Sequence, residues 1–314
     1  MRLDLLAALS GLMIALQARA NGELSYRLNN GIEAALVSFG SGLLIIAVIS
    51  FFHKGIKEGI TNLRVAVKAK EIPRWRLFAG ALGGTFVAVQ TQIVPIIGVA
   101  IYSVASIAGQ TAMSLYVDRI GLTGGGKKLI SRRRIAAASL TVFAVLVSVW
   151  DRINAKDLSI WAVFFGVLAG AIVGVQRALN GQINEYSKQS FTTSLLNFMM
   201  GTSFLVILLV IAVIANWSEL APLPAGPWWI YTGGVVGVIY IAFSSTIVQH
   251  LGVFTFTLFS VGGQLVGSLL LDLLLPTNGV NVSAYLVTGI VMTYFGVIAA
   301  GVGNSRIPKS AKEQ

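Results

Sequence analysis

The sequence predicts an all-α membrane protein that crosses the bilayer ten times and consists of two five-helix repeats inserted in opposite directions. Three observations support this fold class. Apolar residues make up 55% of the chain and charged residues 11%, whereas charged residues make up about a quarter of a typical soluble domain. The second half of the chain repeats polar and glycine positions of the first half. The loops of the two halves carry opposite amounts of positive charge.

Ten apolar runs are each long enough to cross a hydrocarbon core, which takes about 20 helical residues. They lie at about 3–22, 32–52, 77–95, 98–117 and 135–150, and at about 159–179, 192–215, 229–248, 252–275 and 284–303. In each half the third and fourth runs nearly abut, around Pro95–Gly98 and His250–Gly252, so each pair is predicted to form a tight helical hairpin. We place one repeat in 1–152 and the other in 153–314.

Two blocks of residues recur at constant spacing, which is the mark of an internal repeat. The first block recurs 159 positions later, as Gln17, Asn21, Gly22, Phe39 and Gly42 and then Gln176, Asn180, Gly181, Phe198 and Gly201. The second recurs 154 positions later, as Pro73, Trp75, Gly80, Gly83, Gly98, Gly109, Gln110, Ser114 and Asp118 and then Pro227, Trp229, Gly234, Gly237, Gly252, Gly263, Gln264, Ser268 and Asp272. A loop that is five residues shorter in the second copy explains the two spacings.

The distribution of Lys and Arg predicts the orientation, because cytoplasmic loops carry an excess of both. Loops 53–76 and 118–134 are rich in Lys and Arg, whereas their counterparts 216–228 and 276–283 contain none. Of the 23 Lys and Arg residues, 18 lie on the side that carries both termini and four on the other side. Arg177 is assigned to neither side, because it lies near a predicted helix end. Both termini are therefore predicted to be cytoplasmic, and the second copy to be inverted, as in many secondary transporters.

Composition also disfavours several classes of function. The chain has no cysteine, and His53 and His250 are too few for a typical metal centre, so we expect no cofactor and no metal. The net charge of +11 comes from residues in loops between apolar runs and not from one solvated face, so we expect no nucleic-acid partner. The expected partners are the lipid bilayer and a small-molecule solute, and a homo-oligomer is compatible with the sequence.

Two pairs of amides are the first candidates for a substrate pathway. Gln17 and Asn21 lie one helical turn apart, as do Gln176 and Asn180, so each pair projects from one helix face. Polar side chains in the membrane require a partner or a watery cavity. The pairs could line a central pathway, which we favour. They could instead join helices by hydrogen bonds, or the Asn-Gly dipeptides could end the helices.

Each fourth helix carries a stripe of a glutamine, a serine and an aspartate spaced four residues apart. The stripes are Gln110, Ser114 and Asp118 in the first copy and Gln264, Ser268 and Asp272 in the second. We add the amides and hydroxyls to the candidate pathway. Ionisable residues within spans are typical of proton or ion pathways, so Asp118, Asp272 and Glu33 are candidates for proton coupling. Because both aspartates lie near helix ends, the favoured alternative is a solvated carboxylate at the membrane interface. Arg19 either extends to the interface or favours an anionic group.

The motifs resemble those of the YdcZ-type family of bacterial inner-membrane proteins, in the drug/metabolite transporter superfamily. They are Gln-x-x-x-Asn-Gly in the first span, Ser/Asn-Phe-x-x-Gly in the second and Gly-Gln-x-x-x-Ser-Leu-x-x-Asp in the fourth. The resemblance covers both halves. It implies a fused tandem form of a unit that elsewhere occurs singly, with ten helices, in the bacterial cytoplasmic (inner) membrane, usually described as an exporter. It implies no substrate. Small multidrug exporters of that superfamily use a glutamate in the first helix, where this chain has Gln17 and Gln176.

We therefore favour a secondary transporter, in the direction of export, that moves a small metabolite or drug-like solute by alternating access between the repeats. A channel, a lipid scramblase and a non-transporting assembly subunit remain alternatives. A membrane enzyme is disfavoured because no catalytic groups converge within the spans.

Overall fold

The computed structural model describes residues 3–122, 130–148, 150, 159–276 and 282–301, and this part of the chain forms ten α-helices. They are α1 (Leu3–Leu28), α2 (Gly31–Phe52), α3 (Lys54–Lys68), α4 (Ala79–Ile120), α5 (Arg132–Ser148), α6 (Ile160–Ser187), α7 (Ser190–Ile214), α8 (Gly233–Leu251), α9 (Val253–Leu274) and α10 (Ala284–Gly301). Seven of them, α1, α2, α4 and α6 to α9, are long and apolar enough to cross a membrane. The predicted all-α membrane class is confirmed.

Helix α4 contains two membrane spans that fold back on each other at Gly98. Its 42 residues would extend about 63 Å if straight, twice the hydrocarbon thickness of about 30 Å. Gly98 has φ 81° and ψ 167°, a conformation that is essentially restricted to glycine. The Phe86 and Tyr102 ring centroids are therefore only 6.3 Å apart. Gly252, between α8 and α9, has nearly the same angles, φ 79° and ψ 163°. Both predicted hairpins are confirmed.

The fifth span of each repeat is shorter than the other spans. Helix α5 has 17 residues, and the apolar stretch of α10 is Ala284–Gly296. The two helices pack together, with Gly289 against Ser148 and Gly296 against Leu140. Counting α4 as two spans, the described helices account for all ten predicted segments.

The first helix of each repeat packs against the fourth span of the other repeat through the same positions. Gly11 of α1 faces the Ser260 carbonyl oxygen of α9, and its counterpart Gly170 of α6 faces the Ser106 carbonyl oxygen of α4. A Cβ atom at either glycine would overlap that oxygen. Because each contact recurs with the roles of the repeats exchanged, the two repeats are related by a pseudo-twofold axis.

The contacts between α1 and α9 show that the repeats are inverted. Ala8 lies against Gly263, and Leu12 lies against Gly267, so α1 and α9 run parallel. Helix α9 is the fourth span of its repeat and therefore runs opposite to α6, the first span. Helix α1 is thus antiparallel to its counterpart α6, as the charge asymmetry predicts.

Both first helices continue past their Asn-Gly dipeptides, so the interpretation of these dipeptides as helix ends is wrong. Helix α1 extends to Leu28 and α6 extends to Ser187. Gly22 packs against Val94 and Gly181 packs against Val248, each in the third span of the same repeat. The missing side chain is needed for this close packing, which overrides the local preference of Asn-Gly for a helix end.

Helix α3 was not predicted, because loop 53–76 is too polar to span a membrane. Its apolar residues lie on one face and include the buried Ile56 and Leu63. This face covers the junction of α6 and α7, where Asn62 Nδ2 donates to the Ser187 carbonyl oxygen at 3.3 Å. An amphipathic helix of this kind is typical of a membrane interface.

Candidate functional site

A small cavity lies on the pseudo-twofold axis, between the two repeats. Phe39 and Phe198 are counterparts, and their ring centroids are 5.0 Å apart, so the axis passes between them. The cavity beside them measures about 20 Å³, which is room for one water molecule. Its lining consists largely of counterpart pairs, including Gln17 with Gln176 and Phe86 with Tyr240.

The structure brings Gln17 and Gln176 together at this cavity. Each glutamine also bonds across helices: Gln17 Nε2 donates to the Gly233 carbonyl oxygen at 3.2 Å, and Gln176 Nε2 donates to Asn197 Oδ1 at 3.1 Å. The side chains are buried. The interpretation as hydrogen bonds between helices is therefore confirmed, and a role in a substrate pathway stays a prediction.

Asn21 and Asn180 do not line the cavity but bond to neighbouring amides. Asn21 Nδ2 donates to Gln90 Oε1 at 3.4 Å. Asn180 Oδ1 accepts a 2.7 Å bond from Asn197 Nδ2, so Asn197 links Gln176 to Asn180. The two copies differ here, because the counterpart of Asn197 is Ser38, whose buried hydroxyl has no hydrogen-bond partner among the described residues.

The amides and hydroxyls of the fourth-span stripes lie away from the axis cavity. Gln110 Nε2 donates to Ser106 Oγ at 2.9 Å. Ser114 and Ser268 donate to carbonyl oxygens of their own helices, at 2.8 and 3.0 Å. Gln264 is 0% exposed, and neither atom of its amide has a hydrogen-bond partner among the described residues. The structure therefore does not bring these four residues together with Gln17 and Gln176.

Asp272 is buried and holds the start of a helix in the other repeat. Its side chain is 4% exposed, so the expectation of a solvated carboxylate is wrong. Its two oxygens accept hydrogen bonds from the amides of Val99, at 3.3 Å, and Ala100, at 2.7 Å. These amides open the span that follows Gly98, and the first amides of a helix have no partner within the helix. A carboxylate at this position supplies both the acceptor and a favourable charge.

Asp118 is also buried, at 1% exposed, and forms an ion pair. Its Oδ2 accepts a 2.6 Å bond from Arg134 Nη2 of α5. The Arg134 guanidinium lies 4.0 Å from the centroid of the Phe254 ring. Phe254 is the counterpart of Ala100, so both aspartates lie near the start of the fourth span in the opposite repeat. The expectation of a solvated carboxylate is therefore wrong for Asp118 too, because the carboxylate is buried against Arg134.

Glu33 lies in the first turn of α2 and holds the loop before α8. Its amide donates to Asn30 Oδ1, and Asn30 Nδ2 donates back to Glu33 Oε2, each at 3.1 Å. The Ala221 amide donates to the same Oε2 at 3.1 Å. Asn30 is therefore the N-cap of α2, and the Glu33 carboxylate holds the Asn30 side chain in place.

Arg19 is buried, and its guanidinium reaches the C-terminal end of α9. Its Nε donates to the carbonyl oxygen of Leu275 at 2.8 Å, at the C-terminal end of α9, where a positive charge is favourable. It also pairs with Glu23 at 3.0 Å.

Arg177 is the residue that the sequence analysis missed. It is 2% exposed, its Nε donates to Tyr240 Oη at 3.0 Å and its Nη1 donates to Thr257 Oγ1 at 3.0 Å. The Phe256 ring centroid lies 5.0 Å from its guanidinium carbon. Within the described residues no carboxylate pairs with it, and its Nη2 has no hydrogen-bond partner. The sequence signal was the asymmetry of the repeat, because the counterpart of Arg177 is Ala18.

A second cavity lies far from the axis, between α3 and α7. It measures about 450 Å³, is lined mainly by apolar side chains and has Arg64, Lys68 and Arg74 at its margin. This combination is typical of a surface that contacts lipid. In the part of the chain that the structure describes, no group of three or more His, Asp or Glu residues could hold a metal ion.

Comparison with known proteins assigns the family. The sequence model of the family described as "Putative inner membrane exporter, YdcZ" matches residues 3–147 and 161–299, once over each repeat. A solved structure titled "Crystal structure of protein" covers 96% of this chain and 95% of its own, with 15% identity and a TM-score of 0.57, which shows a shared fold. No curated protein matches the chain. The chain therefore belongs to the YdcZ family of inner-membrane exporters and carries two copies of the family's unit.

Proposed function

We propose that this chain is a secondary transporter that moves a small solute by alternating access, with the two repeats rocking about the pseudo-twofold axis. The observation that carries the proposal is the cavity on that axis, lined by the counterpart glutamines Gln17 and Gln176. In inverted-repeat transporters the axis lies in the membrane plane and the substrate binds near mid-depth. A site on this axis would be equally far from the two faces of the membrane.

The Phe39 and Phe198 rings close the cavity in the described conformation. The cavity accommodates little more than a water molecule, so a larger solute requires the rings to separate. Gly42 packs on the Phe198 ring and Gly201 packs on the Phe39 ring, so both rings are held by the opposite repeat. Rocking of the repeats would move the rings together with the helices that hold them.

Export as the direction of transport, and cytoplasmic termini, are parts of the same proposal. The first rests on the family and the second on the Lys and Arg distribution. Proton coupling through Asp118, Asp272 or Glu33 stays a prediction. The test compares solute uptake driven by a pH gradient in the wild-type protein with uptake in Asp118→Asn, Asp272→Asn and Glu33→Gln.

Solute counterflow in proteoliposomes tests the transporter proposal, after a thermal-shift screen has identified a bound solute. Gln17→Ala and Gln176→Ala are each expected to lower counterflow about fivefold or more, because each removes a hydrogen bond worth roughly 1 kcal/mol or more at the binding site. Gln92→Ala is the control, because Gln92 is exposed and lies away from the axis cavity.

Two outcomes would contradict the proposal. Flux without saturation or counterflow would identify a channel or a scramblase. Unchanged counterflow in both glutamine variants would remove these amides from the pathway.

A further inference from the structure

We propose that Arg177 binds an anionic group of the transported solute, so that the substrate class is a small carboxylate or phosphate. This inference rests on the proposed function, because it places the anion at the site between the repeats.

The first step is the charge of Arg177. A guanidinium is effectively always protonated in proteins, and a buried charge without a partner is strongly disfavoured. The three ion pairs of the described chain are Arg19–Glu23, Arg27–Glu23 and Arg134–Asp118. Arg177 therefore has a full positive charge in the interior of the protein, and its hydrogen-bond partners among the described residues are neutral.

Arg134 is a second buried arginine, and its surroundings can be compared with those of Arg177. Both arginines are buried and both lie over a phenylalanine ring, at 4.0 Å for Arg134 and 5.0 Å for Arg177. Arg134 also contacts a carboxylate, Asp118. At Arg177 the equivalent anion is missing from the described chain, and an ionisable residue within the membrane is by default a candidate functional site.

The second step is the position of Arg177. It follows Gln176, which lines the axis cavity, and one residue of helix corresponds to a rise of about 1.5 Å. Tyr240, whose hydroxyl bonds to Arg177, lines the same cavity. The Tyr240 side chain therefore connects the cavity to the Arg177 guanidinium.

The third step is the chemistry of the neighbouring groups. Tyr240 Oη and Thr257 Oγ1 accept hydrogen bonds from two guanidinium nitrogens, and each hydroxyl retains an O–H to donate. Nη2 has no partner among the described residues. One guanidinium and two hydroxyls thus offer several donors around one point, and the planar guanidinium matches the oxygens of a carboxylate or phosphate. The same charge would repel a cationic solute.

The site is present in only one repeat. The counterparts of Arg177, Tyr240 and Thr257 are Ala18, Phe86 and Ser103, so the first repeat lacks the charge and the tyrosine hydroxyl. We expect one anion per chain, bound to one side of the axis.

Isothermal titration of the purified full-length protein in detergent tests the inference. The probes are benzoate, its neutral isostere benzamide, benzylammonium and inorganic phosphate. Benzoate or phosphate is expected to bind with a stoichiometry of one, and to bind at least tenfold more tightly than benzamide and benzylammonium. Benzoate and phosphate distinguish the two oxyanion classes.

Variants then assign the binding to Arg177. Arg177→Gln is expected to weaken oxyanion binding about tenfold or more, because it removes a charge-assisted hydrogen bond, and Arg177→Lys is expected to restore part of the loss. Arg27→Gln is the matched control, because Arg27 is partly exposed and pairs with Glu23 outside this site. If Arg177→Gln does not fold, Tyr240→Phe and Thr257→Val provide the test, since each removes one hydroxyl and retains the charge.

Equal affinity for benzoate and benzamide would overturn the inference. Wild-type benzoate affinity in Arg177→Gln would also overturn it. So would the absence of binding of either oxyanion at 10 mM, a concentration about tenfold above a millimolar Kd. The titration does not depend on transport. Oxyanion binding without counterflow would contradict the transporter proposal and leave the anion site standing. Counterflow of a neutral or cationic solute without oxyanion binding would support the transporter proposal and contradict the anion site.

Discussion

The Asp118–Arg134 pair connects the end of α4 to α5 inside the protein. Both side chains are buried, with 2.6 Å between Oδ2 and Nη2. The sequence identified Asp118 from its spacing, but it could not predict the burial, because Arg134 lies on a different helix and reaches the carboxylate only after the helices have packed. The same limitation applies to Asp272, whose partners lie more than 170 positions earlier in the chain.

Asp118→Asn is expected to destabilise the protein by about 3 to 5 kcal/mol, because it breaks a buried ion pair by removing one of its two charges. Equilibrium unfolding in mixed micelles with increasing SDS measures the loss. The double variant Asp118→Asn with Arg134→Met is expected to recover part of that stability. A double variant less stable than Asp118→Asn alone would show that the ion pair is not the source of the effect.

The two glycine hinges show how far a local pattern can predict an element. The adjacency of the third and fourth apolar runs predicted both hairpins, because no loop of ordinary length fits between them. The sequence could not predict that a single residue makes each reversal. Gly98 and Gly252 adopt positive φ with extended ψ, and the Asp272 carboxylate then binds the amides that follow Gly98.

Gly98→Ala and Gly252→Ala are each expected to lower the free energy of unfolding by about 1 to 3 kcal/mol, because alanine is strained in this conformation. The measurement is SDS unfolding, as for Asp118. Gly40→Ala is the control, since a Cβ atom there meets no atom within 4 Å and alanine favours a helix over glycine by about 1 kcal/mol. A hinge variant as stable as Gly40→Ala would contradict the assigned role of these angles.

The packing of the first helix of each repeat against the fourth span of the other repeat can be tested in the same way. Gly170→Ala is expected to cost about 1 to 3 kcal/mol by forcing α6 away from the Ser106 carbonyl of α4. Gly11→Ala should have a similar effect on α1 and α9, because the contact is repeated by pseudosymmetry. Thermal unfolding of both variants beside Gly40→Ala provides the check. No loss in either variant would mean that the helices have room to move apart.

The fold as a whole depends on the opposite insertion of the two repeats. Helix α3 and loop 216–228 follow the second span of the first and second repeat, so inversion places them on opposite sides of the membrane. The chain contains no cysteine, which makes single-cysteine labelling direct.

Glu58→Cys in α3 is expected to react with a membrane-impermeant maleimide only after spheroplasts are permeabilised, because this side is predicted to be cytoplasmic. Leu220→Cys, at a position that is 65% exposed, is expected to react in intact spheroplasts. Labelling of both positions from the same side would overturn the inversion. Labelling of each position from the side opposite to the expected one would overturn only the cytoplasmic assignment of the termini.

Class, span number, hairpins and inversion could be read from the amino acids alone, because hydropathy, loop charge and repeated positions are properties of short segments. The glutamines at the axis were found in the same way, since the repeat marked Gln17 and Gln176 as a pair. Arg177 could not be recognised, because Asn180-Gly181 suggested a nearby helix end. In the folded protein Val248 packs on Gly181, α6 continues to Ser187, and Arg177 lies inside the membrane. Its neutral neighbours come from helices 63 and 80 positions later, so its lack of a counter-ion among the described residues emerges only when those helices come together.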